Sequence, residues 1–193
     1  MALRVVVLIS GRGSNLVALH RSARPQTYEI VGVISSRADA AGLAYARTQG
    51  LTTQVIEAGR YAQRAAYEAV LADTIDTYAP DMIALAGFMR ILTDGFVERY
   101  AGRLINIHPS LLPAFPGLDT HRRALEAGVS EHGATVHYVT PIVDGGPIID
   151  QMRLTVDPHE TAEQLAARVL TLEHELYPAA LTRLAETHRR TRL

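Results

Sequence analysis

The stretch LRVVVLISGRGSNL, residues 3–16, decides the fold. Its first seven residues are almost all apolar and mostly β-branched, as in a strand buried on both faces. SGRGSN, residues 10–15, then reads as a turn, and Leu16 opens a helical pattern to about residue 23. A strand, a glycine-rich turn and a helix in this order suit an anion. Gly11 and Gly13 let the backbone approach it closely, and Ser14 and Asn15 offer donors. The helix start adds free N–H groups and the positive end of its dipole. The same pattern also serves as a tight turn that binds nothing. A dinucleotide fingerprint needs a third glycine, where this chain has Leu16, and an acidic residue about 20 positions on. The second strand ends instead in Ser35, Ser36 and Arg37. A serine–arginine pair suits a 2′-phosphate, so this feature alone leaves an NADP site open. No Gly-Lys-Ser/Thr follows, which excludes a P-loop.

Working outward, residues 29–34 (EIVGVI) predict a second strand, and a helix over about 38–48 ends before Gly50. A long helical pattern covers 61–78 and stops before Pro80. Residues 81–86 and 103–107 are further buried-strand candidates. This alternation predicts an α/β fold: a Rossmann-like, mostly parallel open sheet with helices on both faces. The segment 109–119 (PSLLPAFPGLD) holds three prolines and reads as a loop, of a length that is often functional. Strands are expected over 134–139 and 147–154, joined by a turn with Pro141, Gly145 and Gly146. A final helix over 160–187 is expected to break at Pro178, and the tail HRRTRL reads as a frayed, solvated end. No repeat or linker interrupts the chain, so one domain over 1–193 is expected.

Composition narrows the function classes. The 193 residues carry 19 basic and 20 acidic side chains, a formal net charge of −1, without the basic excess usual in a nucleic-acid binder. There is no cysteine, hence no disulfide, thiol nucleophile or cysteine metal site. No signal peptide and no apolar run long enough for a membrane span is visible, so a cytoplasmic location is expected. The other histidines, including His132 and His137 five apart, do not make a metal motif on paper.

Asn106 and His108 lie two apart at the end of an apolar strand, so alternation puts both side chains on one side. Pro109 stops the strand and leaves His108 near its carboxyl end, the edge where open α/β sheets bind ligands. Asp144 lies in the turn VDGGP and reaches the same place only through the fold. Acyl transfer to an amine needs a donor for the developing oxyanion and a group that moves protons near neutrality. Asparagine, histidine and a carboxylate that orients the histidine make such a set. Each also has a structural reading: a partly buried histidine, a turn-forming aspartate, an asparagine satisfying backbone groups.

Five motifs in order, SGRGSNL (10–16), LAGFMRIL (85–92), INIHPSLLPAFPGLDTH (105–121), EHGATVHYV (131–139) and VDGGPII (143–149), resemble the phosphoribosylglycinamide formyltransferase family. The resemblance runs from about residue 4 to about 178, the expected catalytic core. It implies a formyl group passed from 10-formyltetrahydrofolate, as co-substrate, to the amine of glycinamide ribonucleotide, without metal, in purine biosynthesis. It implies Asn106, His108 and Asp144 as catalytic, with Asn106 donating to the formyl oxygen. Gly13, Ser14 and Asn15 would hold the ribonucleotide phosphate, helped by Glu173 from the last helix. Arg64, the run Met89, Arg90, Ile91 and Leu92, and the turn Val139, Thr140, Pro141, Ile142 and Val143 would form the folate site. Residues 110–131 correspond to a loop able to cover it. Arg12 receives no role from the resemblance.

The expected partners are small molecules, with no nucleic acid and no membrane, in a monomer or homodimer. Methionyl-tRNA formyltransferases and 10-formyltetrahydrofolate hydrolases share this core. The former carry a further C-terminal domain and lack the phosphate loop, and the latter carry an N-terminal regulatory domain. Neither feature is expected here. An NADP oxidoreductase leaves HPSLLPAFPG and the Asp144 turn unexplained.

Overall fold

Five parallel strands carry the first half of the chain: β1 (Leu3–Ile9), β2 (Tyr28–Ser35), β3 (Thr53–Val55), β4 (Met82–Leu85) and β5 (Leu104–His108). The computed structural model describes residues 2–191. Two antiparallel strands, β6 (Glu131–Tyr138) and β7 (Ile148–Thr155), complete a seven-stranded sheet of order β3-β2-β1-β4-β5-β6-β7. The helices are α1 (Ser14–Ser22), α2 (Ala41–Thr48), α3 (Arg64–Thr77), α4 (Asp94–Arg99), α5 (Thr120–Glu126) and α6 (Ala162–Thr191). The expected mostly parallel α/β sheet is thus the observed one.

β1 shows why its sequence has no polar stripe. Val5, Val7 and Ile9 pack with Leu16 and Leu19 of α1, Leu43 of α2 and Leu181 of α6. Val6 and Leu8 face the other way, onto Leu71 and Ile75 of α3 and Phe96 of α4. Residues 5–9 of β1 are fully buried. Each such side chain contributes about 1.5–3 kcal/mol on leaving water. From β1 the chain winds outward to β2 and β3, then returns to β4 on the other flank. The strand order therefore reverses between β1 and β4, and a crevice opens beyond their carboxyl ends.

Several boundaries differ from the sequence expectation. The second and third helices start at Ala41 and Arg64 rather than 38 and 61, and α1 starts at Ser14. β3 and α4 had no counterpart in the reading: three and six residues are too short for a period to show. α4 is instead marked by Thr93, whose hydroxyl accepts from the Phe96 amide at 3.4 Å. The largest departure is Pro178, which does not break α6. A mid-helix proline costs about 3 kcal/mol in lost hydrogen bonding and crowding. Here the flanking residues Leu176, Tyr177, Ala180 and Leu181 are all fully buried, and the Tyr177 hydroxyl donates to the carbonyls of Leu85 and Ile105 at 3.1 and 3.3 Å. That anchoring outweighs the proline. The tail is helical to Thr191, and residues 192–193 lie outside the described residues. Among the described residues, no helix is long and apolar enough to cross a membrane.

Candidate active site

The turn after β1 is shaped by glycine. Gly13 has φ 75°, and a Cβ there would lie 2.6 Å from the Cα of Gly42. The Gly42 amide also donates to the Gly11 carbonyl at 3.1 Å, so the turn is bolted to the start of α2. No side chain caps α1, which leaves its first amides open toward a cavity of about 520 Å3. Arg12, Gly13, Ser14, Asn15, Gly87 and Glu173 line it. The Asn15 amide donates to the Glu173 carboxyl at 2.7 Å, while the Asn15 Oδ1 is buried without a partner. Burial raises the Glu173 pKa, against the hydrogen bond from Asn15. Ser36 is bonded to Ser10 at 2.7 Å, and Arg37 grips Asp39 at 2.8 and 2.6 Å. The pair that suits a 2′-phosphate is thus already engaged.

Gly13→Ala is expected to destabilise the fold by about 1–3 kcal/mol, since it adds both a positive-φ penalty and a backbone clash. Denaturant unfolding measures this, and an unchanged midpoint would show the turn to be more yielding than its contacts imply. Any loss of ligand binding in such a variant has to be read together with its loss of stability.

At the end of β5 the alternation places Asn106 and His108 as expected. The antiparallel register sets Asn106 opposite His137 and His108 opposite Thr135. In the turn from β6 to β7, Gly146 lies against the Tyr138 carbonyl, where a Cβ would approach to 1.7 Å. Asp144 occupies that turn with φ 53° and accepts from the Gly117 amide at 2.8 Å. Its Oδ2 is 3.4 Å from His108 Nδ1, and its Oδ1 is 3.7 Å from His137 Nε2. His108 Nε2 lies 3.0 Å from the Phe115 carbonyl. A carbonyl only accepts, so Nε2 carries a proton and Nδ1 faces the carboxylate.

His137 is the residue the sequence reading did not place in the site. Its Nδ1 is 2.9 Å from the Tyr138 carbonyl and its Nε2 is 3.2 Å from Asn106 Nδ2. The carbonyl fixes the Nδ1–H tautomer, leaving Nε2 as an acceptor for the Asn106 amide. Burial lowers the His137 pKa, opposed by the Tyr138 hydrogen bond and the Asp144 charge. A neutral His137 therefore orients Asn106. The available signal was the alternation of residues 134–139, which points Thr135 and His137 to one side; pairing with β5 was not visible.

Two further cavities adjoin this group. One, of about 180 Å3, is lined by Leu85, Leu92, Val97, Asn106, Asp144 and residues 139–141 and 143. The other, of about 400 Å3, is lined by Tyr61, Arg64, Tyr67, Met89, Arg90 and Ile91. Arg90 and Ile91 belong to both. Met89, Ile91, Ile142 and Val143 are large apolar residues left exposed around these cavities.

A family model described as formyl transferase matches residues 3–181. The chain is 48% identical over 186 residues to phosphoribosylglycinamide formyltransferase of Escherichia coli (strain K12), covering 95% of this chain and 88% of that protein. The chain belongs to the phosphoribosylglycinamide formyltransferase family. A solved structure of the family member from Coxiella burnetii superposes with TM-score 0.92 at 49% identity, covering 97% of this chain and 89% of that one. The chain is also 45% identical to a part of the trifunctional purine biosynthetic protein adenosine-3 of Bos taurus; the match covers 94% of this chain and 18% of that longer protein.

Membership of the phosphoribosylglycinamide formyltransferase family makes the chain an enzyme of purine biosynthesis that transfers a formyl group, and implies a folate-derived donor. Most of the residues singled out from the sequence line this crevice. Gly13, Ser14, Asn15 and Glu173 share the largest of the three cavities. Asn106 and Asp144 line the smallest, with His108 3.4 Å from Asp144, and Arg64 and Met89–Leu92 are distributed over that cavity and the one next to it. Ile142 is exposed in the turn between Pro141 and Val143. Among the described residues, no group of histidine and acidic side chains has a metal-holding arrangement.

Proposed function

We propose that this enzyme transfers the formyl group of 10-formyltetrahydrofolate to the amine of glycinamide ribonucleotide, giving formylglycinamide ribonucleotide and tetrahydrofolate. The observation that carries the reading is convergence. An anion-ready turn after β1, the pair Asn106 and His108 on β5, and Asp144 from the turn between β6 and β7 converge on one crevice. In this reading Gly13, Ser14 and Asn15 hold the phosphate, and Glu173 holds the ribonucleotide from α6. The pterin enters the small cavity against Leu85, Leu92 and Val97. Its polar edge meets backbone groups of residues 139–143, an apolar slot with a few hydrogen bonds that fits a flat heterocycle. Arg64 and Arg90 face the acidic end of the folate.

The chemistry follows from the placement of donors. The ribonucleotide amine attacks the formyl carbon, and the Asn106 amide, oriented by His137, stabilises the oxyanion. His108 takes a proton from the attacking nitrogen, with Asp144 as counter-charge, and delivers it to the folate nitrogen as the carbon–nitrogen bond breaks. One bond forms, one breaks and one proton moves, with no redox change. We place this activity in the cytoplasm, on one domain that comprises the whole sheet.

A two-substrate assay tests the reaction. Deformylated folate and formylglycinamide ribonucleotide are expected in equal amounts, and only when both substrates are present. Folate release at full rate without the ribonucleotide would make the enzyme a hydrolase.

A further inference from the structure

All 19 basic residues of the chain are arginines. Many hold a carboxylate: Arg37 holds Asp39, Arg99 holds Asp76, Arg122 holds Asp119, Arg168 holds Glu160 and Arg183 holds Asp150. Among the described residues, Arg12 has no hydrogen-bond or ion-pair partner, although it lines the largest of the three crevice cavities. The other partnerless arginines on cavity walls, Arg64 and Arg90, lie on the side given above to the folate. Free guanidinium groups therefore stand at both ends of the crevice.

Charge decides what Arg12 can do there. Arg12 and Glu173 are the charged side chains lining this cavity. His121 also lines it, but burial, with a smaller contribution from His108, lowers its pKa and keeps it neutral at physiological pH. A phosphate monoester carries about −1.5 to −2 charges near pH 7. The start of α1 supplies only about half a positive charge, and the Glu173 carboxyl brings no compensation. A dianion in this cavity is therefore under-neutralised without a cation. A guanidinium supplies a full charge and a planar fork that matches two phosphate oxygens. Gly11 and Gly13 on either side leave no neighbouring side chain in its way.

We propose that Arg12 is a specificity-determining residue of the ribonucleotide site, its guanidinium clamping the phosphate that the turn receives. On this account the chain selects glycinamide ribonucleotide over its unphosphorylated riboside through Arg12 as well as through backbone amides. The inference rests on the assignment of the turn to the phosphate.

Calorimetric titration of the full chain with the ribonucleotide and with the riboside tests it. Arg12→Gln is expected to weaken ribonucleotide binding about 10–100-fold, the range for a hydrogen bond to a charged group. Riboside and formyl-folate binding should be unchanged, and Arg12→Lys should recover part of the loss. In kinetics the change should fall on KM rather than kcat. Added salt should weaken ribonucleotide binding less steeply in Arg12→Gln than in the parent. Ser14→Asp is the companion variant: it puts a carboxylate in the first turn of α1, where the dipole favours it, yet repels a phosphate. Normal ribonucleotide binding by Arg12→Gln overturns the proposal. If Ser14→Asp still weakens binding, the turn holds the phosphate and only the role of Arg12 is lost. If both variants bind normally, the assignment of the turn falls as well.

Discussion

Replacing His108 by alanine is expected to lower kcat by about 10²–10⁴-fold, the usual cost of a lost general acid/base. The imidazole is buried, with the Phe115 carbonyl at 3.0 Å on one nitrogen and the Asp144 carboxylate at 3.4 Å on the other. Alanine removes both contacts, so part of any loss could reflect a shifted 109–119 loop. His108→Gln separates the two effects, because glutamine can still donate to a carbonyl but cannot carry a proton at neutral pH. Both variants are expected to lose kcat alike while binding each substrate nearly normally, as titrations rather than KM values would report. A His108→Gln enzyme within a factor of a few of the parent would reduce His108 to a structural donor.

Asp144→Asn is expected to be nearly as damaging, about 10²–10⁴-fold in kcat, by analogy with the loss of the carboxylate behind other catalytic histidines. The substitution is gentle on the backbone. Asp144 sits at φ 53°, where asparagine is as much at ease as aspartate. The amide oxygen can still accept from Gly117. Its NH2 group then takes the Oδ1 place beside His137 Nε2, and a neutral oxygen replaces the carboxylate charge that faces His108 Nδ1 when the proton arrives. Thermal unfolding should therefore move little while turnover collapses. Retention of parental turnover by a folded Asp144→Asn protein would remove the carboxylate from the proton path.

The sheet was legible where the chain writes local patterns: an unbroken β-branched run at residues 3–9, and strand–helix alternation through residue 108. It was illegible where a segment is too short to repeat, as at 53–55, or where packing overrides a local signal, as at Pro178. The site divides the same way. Alternation along β5 put Asn106 beside His108. No spacing could bring Asp144 across from the turn between β6 and β7; the chemistry of the set made it a candidate, and the family resemblance strengthened that reading. His137 reaches Asn106 through an antiparallel register, and Asn15 meets Glu173 across 158 residues of sequence. Such partnerships belong to the tertiary fold and leave no periodic trace.

β1 lies between β2 and β4, hydrogen-bonded on both edges, with its odd and even residues in different cores. Opening it means parting both helical layers at once. Its amides therefore belong with the slowest-exchanging class, those released only when the whole molecule unfolds. The glycine-rich turn hangs from the end of this strand. Breathing of the outer strands or of the segments over the crevice leaves that mounting undisturbed. The ligand end of the molecule can loosen and re-form many times while the point from which it is suspended stays shut.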